Sequence, residues 1–174
     1  MAVSINGTTN VITPTSAVQP TGSLLQVVST VKKDTFSESV AANGDTAVIM
    51  TATITPASTS NKILVWYSLS PNRYGNYMTL TRGGSTLTAA IGDAAGSRVR
   101  STNTQVEGND SYTATLSGHF LDSPSSTSAL TYGFKLRHSS SSTQTIYLNR
   151  GTADTDEYQV TRGISVFTVM EIAG

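Results

Sequence analysis

The sequence predicts an all-β protein, an antiparallel β-sandwich of jelly-roll type with an extended N-terminal arm. Three observations favour this class. Polar and apolar residues alternate with a period of two in most segments, Ser, Gly, Asn and Pro turns separate those segments, and amphipathic helical spacing is missing. The 174 residues suffice for one domain with a real core. We expect the arm over residues 1–22 and the sandwich over residues 23–174.

The arm is predicted from composition. Its residues are mainly Thr, Asn, Ser, Pro and Gly with scattered Val and Ile, and the prolines bar a helix. A floppy terminus is the plain alternative, but we favour an arm that holds another surface or subunit. The arm residues expected to make such contacts are Ile5, Val11, Ile12, Pro14 and Pro20.

Nine strands are predicted from the alternation, with a hairpin turn at Gly83-Gly84. The clearest pattern directs Leu130, Tyr132, Phe134 and Leu136 inward. The nine ranges are 24–33, 46–56, 62–69, 77–82, 85–91, 113–121, 129–138, 145–150 and 164–172.

Two of these strands, 62–69 and 164–172, are apolar on both faces. A strand in a lone two-sheet sandwich needs only one apolar face, so the second face must be covered. The N-terminal segment, a long loop or another copy of the chain could cover it. We therefore expect strand 62–69 to be central and covered on both sides, Trp66 to belong to the core, and the protein to form a homo-oligomer.

Two long loops are candidate binding regions, because loops beyond about 12–15 residues are usually functional or disordered. In the loop 92–112, Arg98 and Arg100 could contact phosphate, an acidic glycan or a neighbouring subunit, although a solvated loop is the plain alternative. Tyr74, in the turn 70–76, is the better candidate for stacking on a sugar ring.

The acidic loop 151–163 carries Asp154, Asp156 and Glu157, which could offer oxygen ligands to calcium. The EF-hand spacing is missing, so we favour a solvated loop whose charge is balanced by Arg150 and Arg162. The sequence therefore predicts no metal site and no cofactor.

The composition argues against an enzyme. Roughly 30% of the residues are Ser or Thr, while the chain has two His and no Cys. A Ser near a His therefore carries no information about a catalytic triad, and we expect no catalytic residues.

Eleven basic and eleven acidic residues cancel, which gives no electrostatic footprint for nucleic acid or for a membrane. Residues 1–15 lack the pattern of a signal peptide, so we expect synthesis in a cytoplasm.

Five stretches, in order over residues 20–174, together resemble a family of small virion proteins of tailed bacteriophages, including phages of cyanobacteria and marine bacteria. They are residues 20–28 (PTGSLLQVV), 54–65 (ITPASTSNKILV), 80–83 (LTRG), 120–124 (FLDSP) and 164–172 (ISVFTVMEI).

The resemblance implies a sandwich or jelly-roll head that forms a homotrimer in the virion, with the major capsid protein or another virion protein as partner. Two roles are implied, a capsid decoration (cement) protein or the tip of a tail or head fibre. A fibre tip would bind host polysaccharide through Tyr74, Arg98 and Arg100. The chain has no heptad run and no triple-β repeat before the head, so we favour capsid decoration.

Overall fold

The computed structural model describes residues 4–5, 12–13, 19–72, 76–105, 111–138 and 140–174. These residues form thirteen strands and one turn of 3-10 helix at Thr88–Ala90. The strands are β1 (Ser4–Ile5), β2 (Ile12–Thr13), β3 (Leu24–Lys32), β4 (Phe36–Val40), β5 (Thr51–Ile54), β6 (Lys62–Leu69), β7 (Asn76–Arg82), β8 (Ser85–Thr86), β9 (Asn103–Thr104), β10 (Leu116–Asp122), β11 (Leu130–His138), β12 (Gln144–Leu148) and β13 (Ser165–Ile172).

Two antiparallel sheets form the body of the fold. The four-stranded sheet has the order β10-β6-β13-β3. The five-stranded sheet has the order β5-β11-β7-β8, and β9 also pairs with β7. Two smaller antiparallel pairs are β12-β4 and β1-β2, and we call the latter the N-terminal ribbon.

The core lies between the two large sheets. Phe134 of β11 packs against Phe167 of β13, with ring centroids 5.8 Å apart and an interplanar angle of 38°. Both rings are fully buried. The predicted all-β antiparallel sandwich is therefore confirmed, while the jelly-roll type and the division at residue 22 stay predictions.

The period-two alternation decides which side chains enter the core. In β11, Tyr132, Phe134 and Leu136 are fully buried and Leu130 packs against the core, as predicted. The hairpin β7-β8 turns at Gly83 and Gly84, whose φ angles are 61° and 78°. Two consecutive positive φ angles are typical of a type I′ turn, which glycine adopts without steric cost.

Asn149 ties together the segments at one end of the sandwich. Its φ is 65° and it is fully buried. The side-chain amide donates to the carbonyl oxygens of Lys32 and Asp34 at 2.9 and 2.8 Å, and its oxygen accepts from Ser165 Oγ at 2.7 Å. The backbone N–H donates to the Ser70 carbonyl at 2.7 Å. Asn149 thus connects the end of β3, the end of β6 and the start of β13.

Glu171 ties together the opposite end. It is a buried carboxylate on the core side of β13. Its oxygens accept hydrogen bonds from the Ala57 N–H and Gln26 Nε2, both at 2.6 Å, and from Asn61 Nδ2 at 2.5 Å. Burial alone would raise the pKa of Glu171, but the donors from Asn61, Gln26 and Ala57 outweigh it and lower that pKa below the usual value.

Candidate interaction surfaces

The side of the four-stranded sheet that faces away from the core is a continuous, mostly apolar surface, which we call the outer face. Strand register arranges its residues in rows that cross the sheet. The rows are Leu121-Leu64-Met170-Val27, His119-Trp66-Thr168-Ser29 and Ser117-Ser68-Val166-Val31, with Lys62-Ile172-Leu24 at one end.

Large apolar side chains on this face are exposed. Trp66 is 54% exposed, Val27 51%, Val31 49% and Leu121 46%. The predictions that Trp66 belongs to the core and that β6 is covered on both sides are therefore wrong for the part of the chain that the structure describes. Alternation places Val65 and Tyr67 in the core and Trp66 on the opposite side, where the described residues add no third layer.

The outer face carries little charge. Lys62 is the one fully charged residue of the four rows, and His119 adds an exposed imidazole. Beside Trp66 lies a shallow depression lined by Ser68, Val166 and Thr168. A partner for this face must therefore be apolar, and charge attraction would contribute little to its binding.

The N-terminal ribbon is the next candidate element. Ser4 pairs with Thr13, and Ile5 pairs with Ile12. Of the arm residues predicted to make contacts, the structure thus brings Ile5 and Ile12 together in register, whereas Val11 and Pro14 lie outside the described residues.

Pro20 begins the turn that joins the arm to the sandwich. The Ser23 N–H donates to the Pro20 carbonyl at 3.0 Å, and Gly22 has a φ of 87°. A hydrogen bond from the fourth to the first residue with glycine at the third position is the signature of a type II turn. The Gly22 N–H also donates to the Ala173 carbonyl at 2.7 Å, so the turn is anchored to the end of the four-stranded sheet.

A polar depression lies on the outside of the five-stranded sheet, beneath the loop that follows residue 92. Its lining includes Asp45, Tyr77, Thr79, Arg100 and Arg137. Arg137 Nε donates to Asp45 at 2.7 Å, and Arg100 Nε donates to the Gly92 carbonyl at 2.6 Å. Two guanidinium groups and a tyrosine ring are therefore held around one small polar space.

The three residues predicted for ligand contact do not meet in this depression. Arg100 lines it, whereas Arg98 is exposed elsewhere on the loop and donates to the Ala95 carbonyl at 3.3 Å. Tyr74 lies outside the described residues. Tyr77 is the aromatic residue that lines the depression with Arg100. Alternation alone does not single out Tyr77, because the pairing of the loop with β7 is a long-range contact.

The acidic loop is held by ion pairs. The Asp154 carboxylate accepts hydrogen bonds from both Arg150 and Arg162, as the solvated-loop interpretation predicted. The Arg150 guanidinium also lies 4.4 Å from the centre of the Tyr147 ring. Within the described ranges, no group of three or more His, Cys, Asp or Glu side chains could hold a metal ion.

The two histidines occupy different environments. His119 is exposed on the outer face, whereas His138 at the end of β11 is buried. His138 Nδ1 accepts from the Ser140 N–H at 3.1 Å, so Nε2 is assigned as the donor to the Val40 carbonyl at 3.0 Å. Both ring nitrogens therefore serve backbone hydrogen bonds.

No protein-family model matches the chain, and no curated protein matches it. Among the residues that the structure describes, no helix has the length and hydrophobicity needed to cross a bilayer.

Proposed function

We propose that this chain is a non-enzymatic structural protein of a tailed-phage virion, a homotrimeric capsid decoration protein whose N-terminal arm attaches it to the shell or to neighbouring copies. The observation that carries this proposal is the outer face. The sheet face that bears the exposed side chains of Trp66, Val27, Val31 and Leu121 is a contiguous apolar patch, and patches of this kind are often functional interaction sites. Such a surface marks a site of assembly.

The mechanism is mechanical. Burying apolar surface contributes roughly 25 cal/mol per Å², so each face that is covered during assembly raises the free energy needed to separate the joined subunits. The zero net charge of the chain removes repulsion between copies. No reaction is required for this mechanism.

Light scattering on the purified chain tests self-assembly. We expect a stable species with three times the 18.3 kDa mass of one chain, and a chain that stays monomeric at every concentration would contradict the proposal.

Attachment is tested by binding to undecorated capsids, with and without residues 2–20. The deletion should abolish occupancy, and unchanged occupancy would remove the role of the arm.

A second candidate function is a fibre tip that binds host polysaccharide, and the polar depression favours it. Tyr77 could stack on a sugar ring, while Arg100 and the Arg137-Asp45 pair offer donors and acceptors for hydroxyl or acidic groups. Adsorption to host cells tests this candidate. Tyr77→Ala and Arg100→Ala should abolish adsorption, while Arg98→Ala, on the same loop but outside the depression, should leave it unchanged. Equal effects of all three substitutions would argue against a site there.

A further inference from the structure

We infer that the outer face of the four-stranded sheet receives the N-terminal ribbon of a neighbouring copy of the same chain. This inference rests on the proposed function, because it assumes that copies assemble, and it names the surface and the segment through which they do so. Four observations support it. They are the size of the outer face, the register of the ribbon, the absence of charged residues from the arm, and the place where the arm leaves the four-stranded sheet.

The size of the face sets what its partner must supply. Four strands about 4.8 Å apart and four rows about 6.6 Å apart, two residues along each strand, give a flat area of roughly 500 Å². A stable interface usually buries about 800 Å² on each partner. Two outer faces stacked directly on one another would therefore bury less area than a stable interface needs. A partner segment that makes further contacts beyond the face is favoured.

The register of the ribbon gives it one apolar side. Residues that face each other across an antiparallel pair lie on the same side of it. Ile5 and Ile12 therefore share one side, and Ser4 and Thr13 share the other. An isolated two-stranded ribbon is at best marginally stable in water, so it needs a surface to pack against. The apolar side of the ribbon and the uncovered outer face are complementary in this respect.

The arm and the centre of the outer face both lack charged side chains. Residues 1–31 contain no Asp, Glu, Lys or Arg, so the arm can enter an apolar contact without burying a charge. On the receiving side, Lys62 lies at one end of the outer face, away from Trp66 at its centre. No charged group would need to be desolvated at the centre of the contact.

The path of the arm favours a neighbouring copy as its source. The turn Pro20–Ser23 fixes the departure of the arm beside Leu24, at a corner of the outer face. Residues 14–19 then connect this corner to β2 and span at most roughly 20 Å. Residues 14–20 include two prolines and no glycine, proline restricts the conformations open to a chain, and short hinge segments favour exchange of an element between copies.

Trp66 provides a direct readout, because it is the single tryptophan of the chain and lies at the centre of the outer face. The experiment compares its emission maximum and acrylamide quenching in the full-length chain and in a chain lacking residues 2–18, with the mass of each measured by light scattering. We expect an oligomer with shielded Trp66 for the full-length chain. The deletion should shift emission to the red, increase quenching several-fold and lower the mass, and a synthetic peptide of residues 1–22 should restore the shielding.

Point variants of the full-length chain provide the matched test, and they do not depend on the folding of the deletion. Ile5→Asn with Ile12→Asn places polar groups on the apolar side of the ribbon and should reproduce the exposure of Trp66. Ser4→Asn with Thr13→Asn changes the other side and should leave both mass and emission unchanged. Equal behaviour of the two double variants would overturn the inference.

The remaining outcomes separate this inference from the proposed function. A monomer with shielded Trp66 would place the ribbon on its own chain and overturn the exchange. If Trp66 stays shielded and the oligomer mass stays unchanged after the deletion, a contact other than the ribbon covers the outer face. An oligomer with exposed Trp66 would refute the inference while leaving self-assembly intact, and a monomer with exposed Trp66 would refute both.

Discussion

The Tyr132 hydroxyl donates a hydrogen bond of 2.7 Å to the Asp122 carboxylate across the interior of the sandwich. Arg82 donates to the same oxygen at 2.5 Å. Asp122 belongs to β10 of the four-stranded sheet, whereas Tyr132 and Arg82 belong to the five-stranded sheet. Burial and the neighbouring Asp122 raise the pKa of Tyr132, which keeps its hydroxyl protonated as a donor. The three side chains form a polar link between the two sheets, beside the apolar contacts of the core.

Tyr132→Phe should lower the free energy of unfolding by about 1–2 kcal/mol, because it removes one buried hydrogen bond to a charged group while keeping the ring. Urea denaturation measures the change. Tyr158→Phe is the matched control, since it removes the same atom from a side chain that is 96% exposed, and it should leave the unfolding midpoint unchanged. If the two variants unfold at the same urea concentration, the link does not stabilise the sandwich.

Glu171→Gln should destabilise the protein by about 1–3 kcal/mol at neutral pH, because the new amide NH₂ opposes the donors that surround Glu171. The lowered pKa of Glu171 in the folded protein means that its contribution is present above the ordinary glutamate pKa. That contribution is lost as the pH falls below about 4.3 and through the folded-state value. The difference in unfolding free energy between the wild type and Glu171→Gln should therefore become smaller at acidic pH.

Urea denaturation at neutral and acidic pH measures this gap. Glu157→Gln changes an exposed carboxylate and should match the wild type at neutral pH. A gap for Glu171→Gln that stays constant from neutral pH into acid would show that ionisation of this carboxylate is not linked to folding.

Asn149→Ala should cost about 2–4 kcal/mol, because it removes three hydrogen bonds and places alanine, which tolerates a positive φ less readily than asparagine, at this position. Asn43→Ala isolates the backbone term, since Asn43 is exposed and has a φ of 61°. It should cost about 1 kcal/mol. Thermal unfolding of both variants gives the two values, and equal losses would mean that the Asn149 side-chain bonds contribute nothing.

Gly133→Ala should destabilise the five-stranded sheet. A β-carbon at Gly133 would lie 2.6 Å from the Met50 carbonyl oxygen and 2.6 Å from Val48 Cγ1. Because the Met50 contact is with backbone, the segment before β5 must shift, and overpacking of this kind costs about 1–3 kcal/mol. Gly92→Ala meets no atom within 4 Å and should be neutral. Hydrogen exchange should show faster opening of β5 in Gly133→Ala alone, and protection equal to wild type would contradict the clash.

Much of the fold could be predicted because alternation is a local property. β11 shows its inward face in the sequence, and Gly83-Gly84 marks the β7-β8 hairpin without knowledge of the rest of the chain. β4 was missed because Ser37, Glu38 and Ser39 interrupt its apolar pattern. Its strand character depends on pairing with β12, which lies about a hundred residues later in the chain.

The surfaces were harder to predict, because they depend on which side of a strand the fold covers. Ile63 and Leu64 are both apolar, so the pattern of β6 does not reveal which of them enters the core. The depression around Arg100 arises because the Thr102 N–H bonds to the Met78 carbonyl and Thr104 pairs with Tyr77. A long-range register of this kind leaves no periodic signal in the sequence. Asn149 was missed because Asn is also an ordinary turn residue.

The position of β13 has a consequence for synthesis of the protein on the ribosome. It lies between β6 and β3, so β3 has no partner in its sheet until residues 165–172 have been made and released. A nascent chain that has reached the end of β12 can pair β10 with β6 but must leave both β3 and one edge of β6 open. Because such distant pairings form slowly and open edges attract other strands, this interval is when the growing chain depends most on protection by chaperones.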